Sequence, residues 1–167
     1  EVFPELYLAN AETGKRIKRL VKTTTNPDFE QLRFIYSQPS FSPDGQYLAF
    51  TGQRGGRDVL YVLDVARGKV IKDFDYQLDQ VLSPSFSPDG RRIVFSGMRH
   101  GMSDLYVVSM DQPGMTQLMK DTYGDLSPAW SPDGKTIAFV TERGDEESAA
   151  LVINYLRDCG LLGRPDA

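Results

Sequence analysis

Apolar residues in this chain fall in short runs, some alternating and some unbroken, separated by polar stretches rich in Gly and Pro. Runs of that length and period predict strands rather than helices. Glu5-Leu6-Tyr7-Leu8-Ala9 alternates and predicts a first strand, Asn10 to Gly14 a turn, and Arg16 to Val21 a second strand with Ile17 and Leu20 inward. Thr23 to Arg33 is polar, holds Asn26-Pro27-Asp28, and reads as a connection. A set of four strands then follows at Ile35–Phe41, Gln46–Thr51, Val59–Val65 and Lys69–Phe74, with turns at Gln53–Arg57 and Ala66–Gly68. A second set occupies Leu82–Phe86, Arg92–Ser96, Asp104–Ser109 and Met115–Met119, with turns at Arg99–Gly101 and Gln112–Gly114. A third opens with Ser127–Trp130 and Thr136–Thr141. Beyond it two readings stay open: a strand at Leu151–Asn154, which keeps the register, or a helix over Glu146–Cys159.

The sets share one tetrapeptide. Ser42-Pro43-Asp44-Gly45 returns as Ser87-Pro88-Asp89-Gly90 and Ser131-Pro132-Asp133-Gly134, each after an aromatic residue: Phe41, Phe86 and Trp130. Leu48-Ala49-Phe50, Ile93-Val94-Phe95 and Ile137-Ala138-Phe139 follow at matching offsets. Self-similarity at about 45 residues signals a repeat architecture. Pro presets φ for the first central position of a type I turn, Asp suits the second, and Gly takes φ > 0. Each copy therefore predicts a tight hairpin with a bulge at Gly. This turn role accounts fully for Asp44, Asp89 and Asp133. Tips of neighbouring hairpins are expected to lie far apart, which argues against the three carboxylates forming a metal site.

The formal net charge of −4 gives no general attraction to nucleic acid. One cysteine, Cys159, allows no intrachain disulfide, and no apolar run reaches the length of a membrane span. The chain starts at Glu1 rather than Met, so the expectation is a removed leader or a piece of something longer. Lys15, Arg16, Lys18, Arg19 and Lys22 cluster on the second strand. They read as a solvated edge, where basic side chains discourage edge pairing.

Asp58-Val59-Leu60-Tyr61-Val62 and Asp104-Leu105-Tyr106-Val107-Val108 are expected to correspond, and the pattern Pro-x-Phe/Trp-Ser-Pro-Asp-Gly, then Ile-Ala-Phe, then Asp-Leu-Tyr-Val resembles the blade of TolB-type, WD-repeat-like β-propellers over roughly residues 5 to 143. The resemblance implies an all-β fold: a propeller segment of three to nearly four four-stranded antiparallel blades in an incomplete ring. It places the strand before each Ser-Pro-Asp-Gly nearest the central channel. The organisation it implies is residues 1–22 as the second half of a blade, 23–33 as a connection, 34–78 and 79–122 as blades, and 123–167 as a partial blade with an atypical tail. Closed propellers need about four to eight blades. The arc is therefore expected to belong to a longer protein, or to pair with a second copy as a homo-oligomer that completes the ring.

Such blades occur in periplasmic TolB, in bacterial envelope proteins, before prolyl-oligopeptidase-like peptidase domains and in oligogalacturonate lyase. The lyase reading needs several ligand histidines, and the chain has only His100. No Gly-x-Ser-x-Gly elbow is present, so a peptidase would have to lie elsewhere. His100 in its turn reads as a solvated side chain rather than a general base, and Cys159, with no His nearby, as an incidental thiol. No catalytic, cofactor or metal residue is assigned. The function expected is a non-catalytic module holding a protein or peptide partner, in the periplasm or envelope, with a cytoplasmic site left open. Arg54, Arg57, Arg99, His100 and Arg143 follow the second strand of each set and are expected to share one face that takes an acidic partner segment.

Overall fold

The computed structural model describes residues 4–33 and 37–142, and they form an all-β arc of antiparallel sheets that does not close into a ring. Thirteen strands are present among the described residues. A front hairpin pairs β1 (Glu5–Ala9) with β2 (Arg16–Lys22). The first full sheet holds β3 (Gln31–Leu32), β4 (Ser40–Phe41), β5 (Tyr47–Arg54), β6 (Arg57–Asp64) and β7 (Lys69–Phe74). The second runs β8 (Gln80–Phe86), β9 (Arg92–Arg99), β10 (Met102–Ser109) and β11 (Met115–Gln117) in order. A last pair joins β12 (Asp125–Trp130) to β13 (Ile137–Thr141).

Each four-strand meander exposes two apolar faces, and neighbouring sheets cover them. Leu6, Leu8, Leu20 and Val21 of the front hairpin cluster with Leu48, Phe50, Val59, Tyr61 and Leu63. The opposite face of that sheet, with Ala49, Leu60 and Val62, packs on Phe86, Ile93, Phe95, Tyr106 and Val108 of the next. The third layer sets Val94, Leu105 and Val107 against Ile137, Trp130 and Phe139. Alternate residues of one strand thus enter two different cores, which is why strands here read as unbroken apolar runs.

Polar ties repeat across these seams. Phe86 N–H donates to Ser40 Oγ at 3.1 Å, and Trp130 N–H to Ser85 Oγ at 3.4 Å. Lys18 Nζ donates to the carbonyls of Val65 and Ala66, and Lys72 Nζ to that of Met110 at 2.5 Å. Both lysines stand four positions after a left-handed turn glycine, Gly14 and Gly68. The basic cluster on β2 is therefore partly structural: Arg19 also pairs with Glu5 and Arg16 lies over the Tyr7 ring.

Several expectations need correction. Of the described residues in the inner strand expected at Ile35–Phe41, Ser40–Phe41 form strand; its other part, β3, lies within the stretch read as a connection. Both pieces pair with β5, so one strand is interrupted, and residues 34–36 lie outside the described residues. The equivalent breaks in β8 and β12 are single bulges with left-handed Ser83 and Ser127 before Pro84 and Pro128. Phe29, in that same connection, is a core residue, in aromatic contact with Phe50 and Tyr61. The hairpins β5–β6 and β9–β10 are longer than expected. Gly55-Gly56 and His100-Gly101 all have φ > 0, which makes two-residue turns that let pairing run out to Arg54–Arg57 and Arg99–Met102. Those two hairpins also correspond through Tyr61 and Tyr106 rather than through Asp58 and Asp104, since Val59 and Asp104 face Gly52 and Gly97. The choice between strand and helix over 146–159 and the reading of Cys159 fall outside the described residues.

Gly52 and Gly97 are required by those tyrosines. A β-carbon on Gly97 would stand 2.7 Å from Tyr106 Cδ2 and 2.8 Å from Leu78 Cδ1. Tyr106 and Leu78 are buried in the core between the two full sheets and have nowhere to retreat. Gly97→Ala is therefore expected to destabilise the fold by about 1–3 kcal/mol through overpacking, read as a lowered urea midpoint. Ala at the open turn glycine Gly101, whose strain is conformational rather than steric, serves as the comparison.

Candidate binding site

The three Ser-Pro-Asp-Gly corners are built alike. In the first, Gly45 N–H donates to Ser42 O, Ser42 Oγ donates to Asp44 Oδ1 at 2.6 Å, and Gln46 N–H donates to the same oxygen. Tyr47 N–H closes the corner on Ser42 Oγ. Ser87/Asp89 and Ser131/Asp133 repeat every bond. The sequence suggested that the tips lie far apart; the structure brings successive tips close together. A β-carbon on Gly90 would lie 3.6 Å from Pro43, and one on Gly134 the same distance from Pro88. Inner strands converge toward the channel, so their corners stack proline against glycine. One oxygen of each carboxylate, Oδ1, is nonetheless committed to its own turn. Among the described residues no group of three or more His, Cys, Asp or Glu side chains is placed to hold a metal ion.

Along the channel side the inner strands leave a groove of about 1010 Å³. Ser37, Ser83 and Ser127 with Pro39, Pro84 and Pro128 line it, and Leu82 and Leu126 add apolar surface. Bulged Ser-Pro steps put hydroxyls and ring edges side by side; among the described lining residues Arg33 alone is charged. Arg33 is held there by Asp58, whose buried carboxylate accepts from Arg33 Nε at 2.7 Å and from Val81 N–H at 3.2 Å. Phe41, the aromatic residue before the first corner, is 49 % exposed at this groove, whereas Phe86 at the equivalent position is buried. Its face turns toward the front hairpin, whose apolar residues cover β5 and β6 but not β4.

The arginine residues expected to share a face are found at hairpin ends, but not as a bare basic patch. Arg54 donates to Asp73 at 2.5 Å and to Asp75 at 3.3 Å, and its hydrogen bond to Asp73 holds the guanidinium pKa above its ordinary value. Arg99 bonds the Tyr76 carbonyl, and His100 N–H donates to Asp79 Oδ2 at 2.8 Å. Asp75, Tyr76, Gln77, Asp79, Arg99 and His100 together line a shallow recess of about 470 Å³. Arg57 is exposed at the first residue of β6. Arg143 lies outside the described residues. The structure brings Arg54, Arg99 and His100 around one acidic connection, Asp73 to Asp79. That connection carried no signal in the sequence reading, although three acids facing two hairpin ends at the repeat spacing would have marked it.

Repeated corners, meanders packed face to face and an inner strand at the channel are the attributes of one architecture. A family model, the TolB beta propeller domain, matches residues 28–148. The chain belongs to that family. No curated protein matches it by sequence. Among solved structures, TolB from Acinetobacter baumannii is 25 % identical with a TM-score of 0.67, over 87 % of this chain and 33 % of that one. A protein from Agrobacterium tumefaciens assigned to TolB is 24 % identical with a TM-score of 0.61, over 83 % of this chain and 50 % of that one. A prolyl endopeptidase is 18 % identical with a TM-score of 0.61, over 84 % of this chain and 23 % of that one, a likeness of fold alone. The chain thus spans a third to a half of the TolB structures it matches. Among the described residues no helix is long and apolar enough to cross a membrane.

The TolB-type corners carry a pH signature. Hydrogen bonds from Ser42 and Ser131 hold Asp44 and Asp133 below the ordinary value of 3.8. At Asp89 burial opposes the shift, and bonds from Ser87 and Arg91 N–H outweigh it. A depressed native pKa adds stability above the unfolded value that is lost as pH falls through the native one. The stability of the chain relative to the triple Asp→Asn variant at positions 44, 89 and 133 should therefore be steady above about pH 5 and shrink below pH 3.8. Urea unfolding at stepped pH checks this; a difference that does not change with pH would contradict it.

Proposed function

We propose that the chain is a non-catalytic binding module of the bacterial envelope, and that its TolB-type arc holds an extended peptide or protein segment of a partner. The observation that carries this reading is the groove along the inner strands. Serine hydroxyls, proline rings and the side chains of Leu82 and Leu126 line it. An extended peptide offers the alternating backbone polar groups and side chains that such a surface can meet. Among the described residues that line the groove there is neither a nucleophile paired with a base nor a cluster of titratable side chains. An envelope setting accords with the periplasmic namesake of the family.

The hairpin-end face supplies a flanking contact in this reading. Arg54 is committed to Asp73 and Asp75, so Arg57, Arg99 and His100 remain as the groups that would meet an acidic segment.

A display selection of random peptides on the immobilised chain, followed by calorimetry on the selected sequences, tests the proposal. Extended peptides should bind saturably. Gln38→Trp, which fills the groove from an exposed position, should weaken them at least about tenfold, roughly 1.4 kcal/mol. Arg57→Glu with Arg99→Glu should weaken acidic peptides only. Binding that survives Gln38→Trp and is lost with the arginine pair would move the site off the groove and overturn this reading.

A further inference from the structure

The two full sheets carry an equivalent arginine in opposite surroundings. Arg54 and Arg99 each lie two residues beyond the glycine beneath a tyrosine ring, Gly52 under Tyr61 and Gly97 under Tyr106. What faces each tyrosine on the outer strand differs: Asp73 of β7 faces Tyr61, and Gln117 of β11 faces Tyr106. In the first sheet Asp73 and, two residues on, Asp75 accept from Arg54 at 2.5 and 3.3 Å. In the second sheet Gln117 and Met119 hold those two places. Gln117 turns its amide inward and donates to buried Asp104 at 2.9 Å, and Met119 belongs to the core beyond β10. Among the described residues no carboxylate pairs with Arg99, which bonds the Tyr76 carbonyl at 3.3 Å.

A recess of about 360 Å³ opens at this place, lined by Arg99, Tyr106, Met115, Thr116, Gln117 and Lys120. All of its walls come from the second full sheet and the connection that follows it, away from the front hairpin and from β13. We propose that this recess takes an acidic, extended segment of a partner protein, with carboxylates at alternate positions, as Asp73 and Asp75 take Arg54 in the first sheet. The proposal rests on reading the chain as a partner-binding module, and gives its hairpin-end contact a ligand of defined chemistry.

The chemistry of the walls fits that ligand. Alternate side chains of an extended segment point the same way, about 7 Å apart. One carboxylate meets the Arg99 guanidinium and the next meets the Lys120 ammonium, both exposed at the recess. A guanidinium presents several N–H donors in one plane, so the bond to Tyr76 leaves others for a carboxylate. Acids nearby are engaged elsewhere: Asp104 accepts from Gln117, Asp79 from His100 N–H and Asp121 from Tyr123 N–H. Exposed charge pairs of this kind are weak and screened by salt, so the segment binds best at low ionic strength.

Fluorescence anisotropy with a labelled, end-capped peptide copied from residues 72–77, Lys-Asp-Phe-Asp-Tyr-Gln, tests the proposal. The measurement uses the Gln38→Trp chain, whose groove is filled, so that binding here and binding in the groove can fail separately. The peptide should bind saturably at one site. Asparagine in place of both its aspartates should weaken it at least about tenfold. Arg99→Gln and Lys120→Gln should each weaken it about threefold or more, with unchanged near-ultraviolet circular dichroism, since both side chains are exposed. Asp73→Asn with Asp75→Asn, which releases Arg54, should add a second, weaker site. A peptide that does not bind, or binds equally well with asparagines, would overturn the proposal. So would binding indifferent to Arg99→Gln, a single site in the Asp73/Asp75 variant, or free succinate competing as well as unlabelled peptide.

Discussion

Everything in this chain depends on burying both faces of each small sheet. A β-meander with alternating side chains has two surfaces to cover, and a four-stranded sheet is too small to curl over itself. Here the second and third strands are apolar at nearly every position, as in the run Val59 to Leu63, and all five of those residues are buried. Such a strand has no solvent side. The only arrangement that satisfies it places a similar sheet on each face, and repetition then generates the arc. Fold and repeat are the same physical fact seen at two lengths.

The polar features are arranged around that burial. The Ser-Pro-Asp-Gly corner consumes its own donors and acceptors, so that the hairpin nearest the channel needs no outside partner. Stacking of Pro43 on Gly90 and of Pro88 on Gly134 lets successive corners approach closely. Farther out, Lys18 and Lys72 reach across a seam to turn carbonyls that would otherwise lack a donor. Buried acids follow the same rule. Asp58 is 1 % exposed and is met by Arg33 and by a backbone N–H of the next sheet. The proposed binding surface is what this scheme leaves over: the groove where inner strands come together, with Arg33 alone charged among its described lining residues.

Charge at the hairpin ends shows why loop residues are poor guides on their own. Arg54 is predicted from its repeat position to be available, yet the acidic connection after β7 folds back onto it. The favourable pairing is local and weakly specific, since both partners are substantially exposed, and such surface pairs contribute little to stability. It also offsets the positive charge of Arg54 at that hairpin end.

By itself the sequence determined the strand order, the three corners, the blade repeat and the family, because turn chemistry and two-sided apolar strands are local and are written at every repeat. Only the pairing of strands decided that Tyr61 and Tyr106 hold equivalent places, since the aspartates Asp58 and Asp104 had suggested a register shifted by one. Only the tertiary structure decided which nominal core residues lack a cover, as Phe41 does, and which connection residues, such as Phe29, belong inside. Only it could show the arginine–aspartate pairing, the contact between successive corners and the interruption of the first inner strand. Those outcomes depend on which segments meet across seams some 45 residues apart in sequence, and no local pattern of side chains encodes that distance.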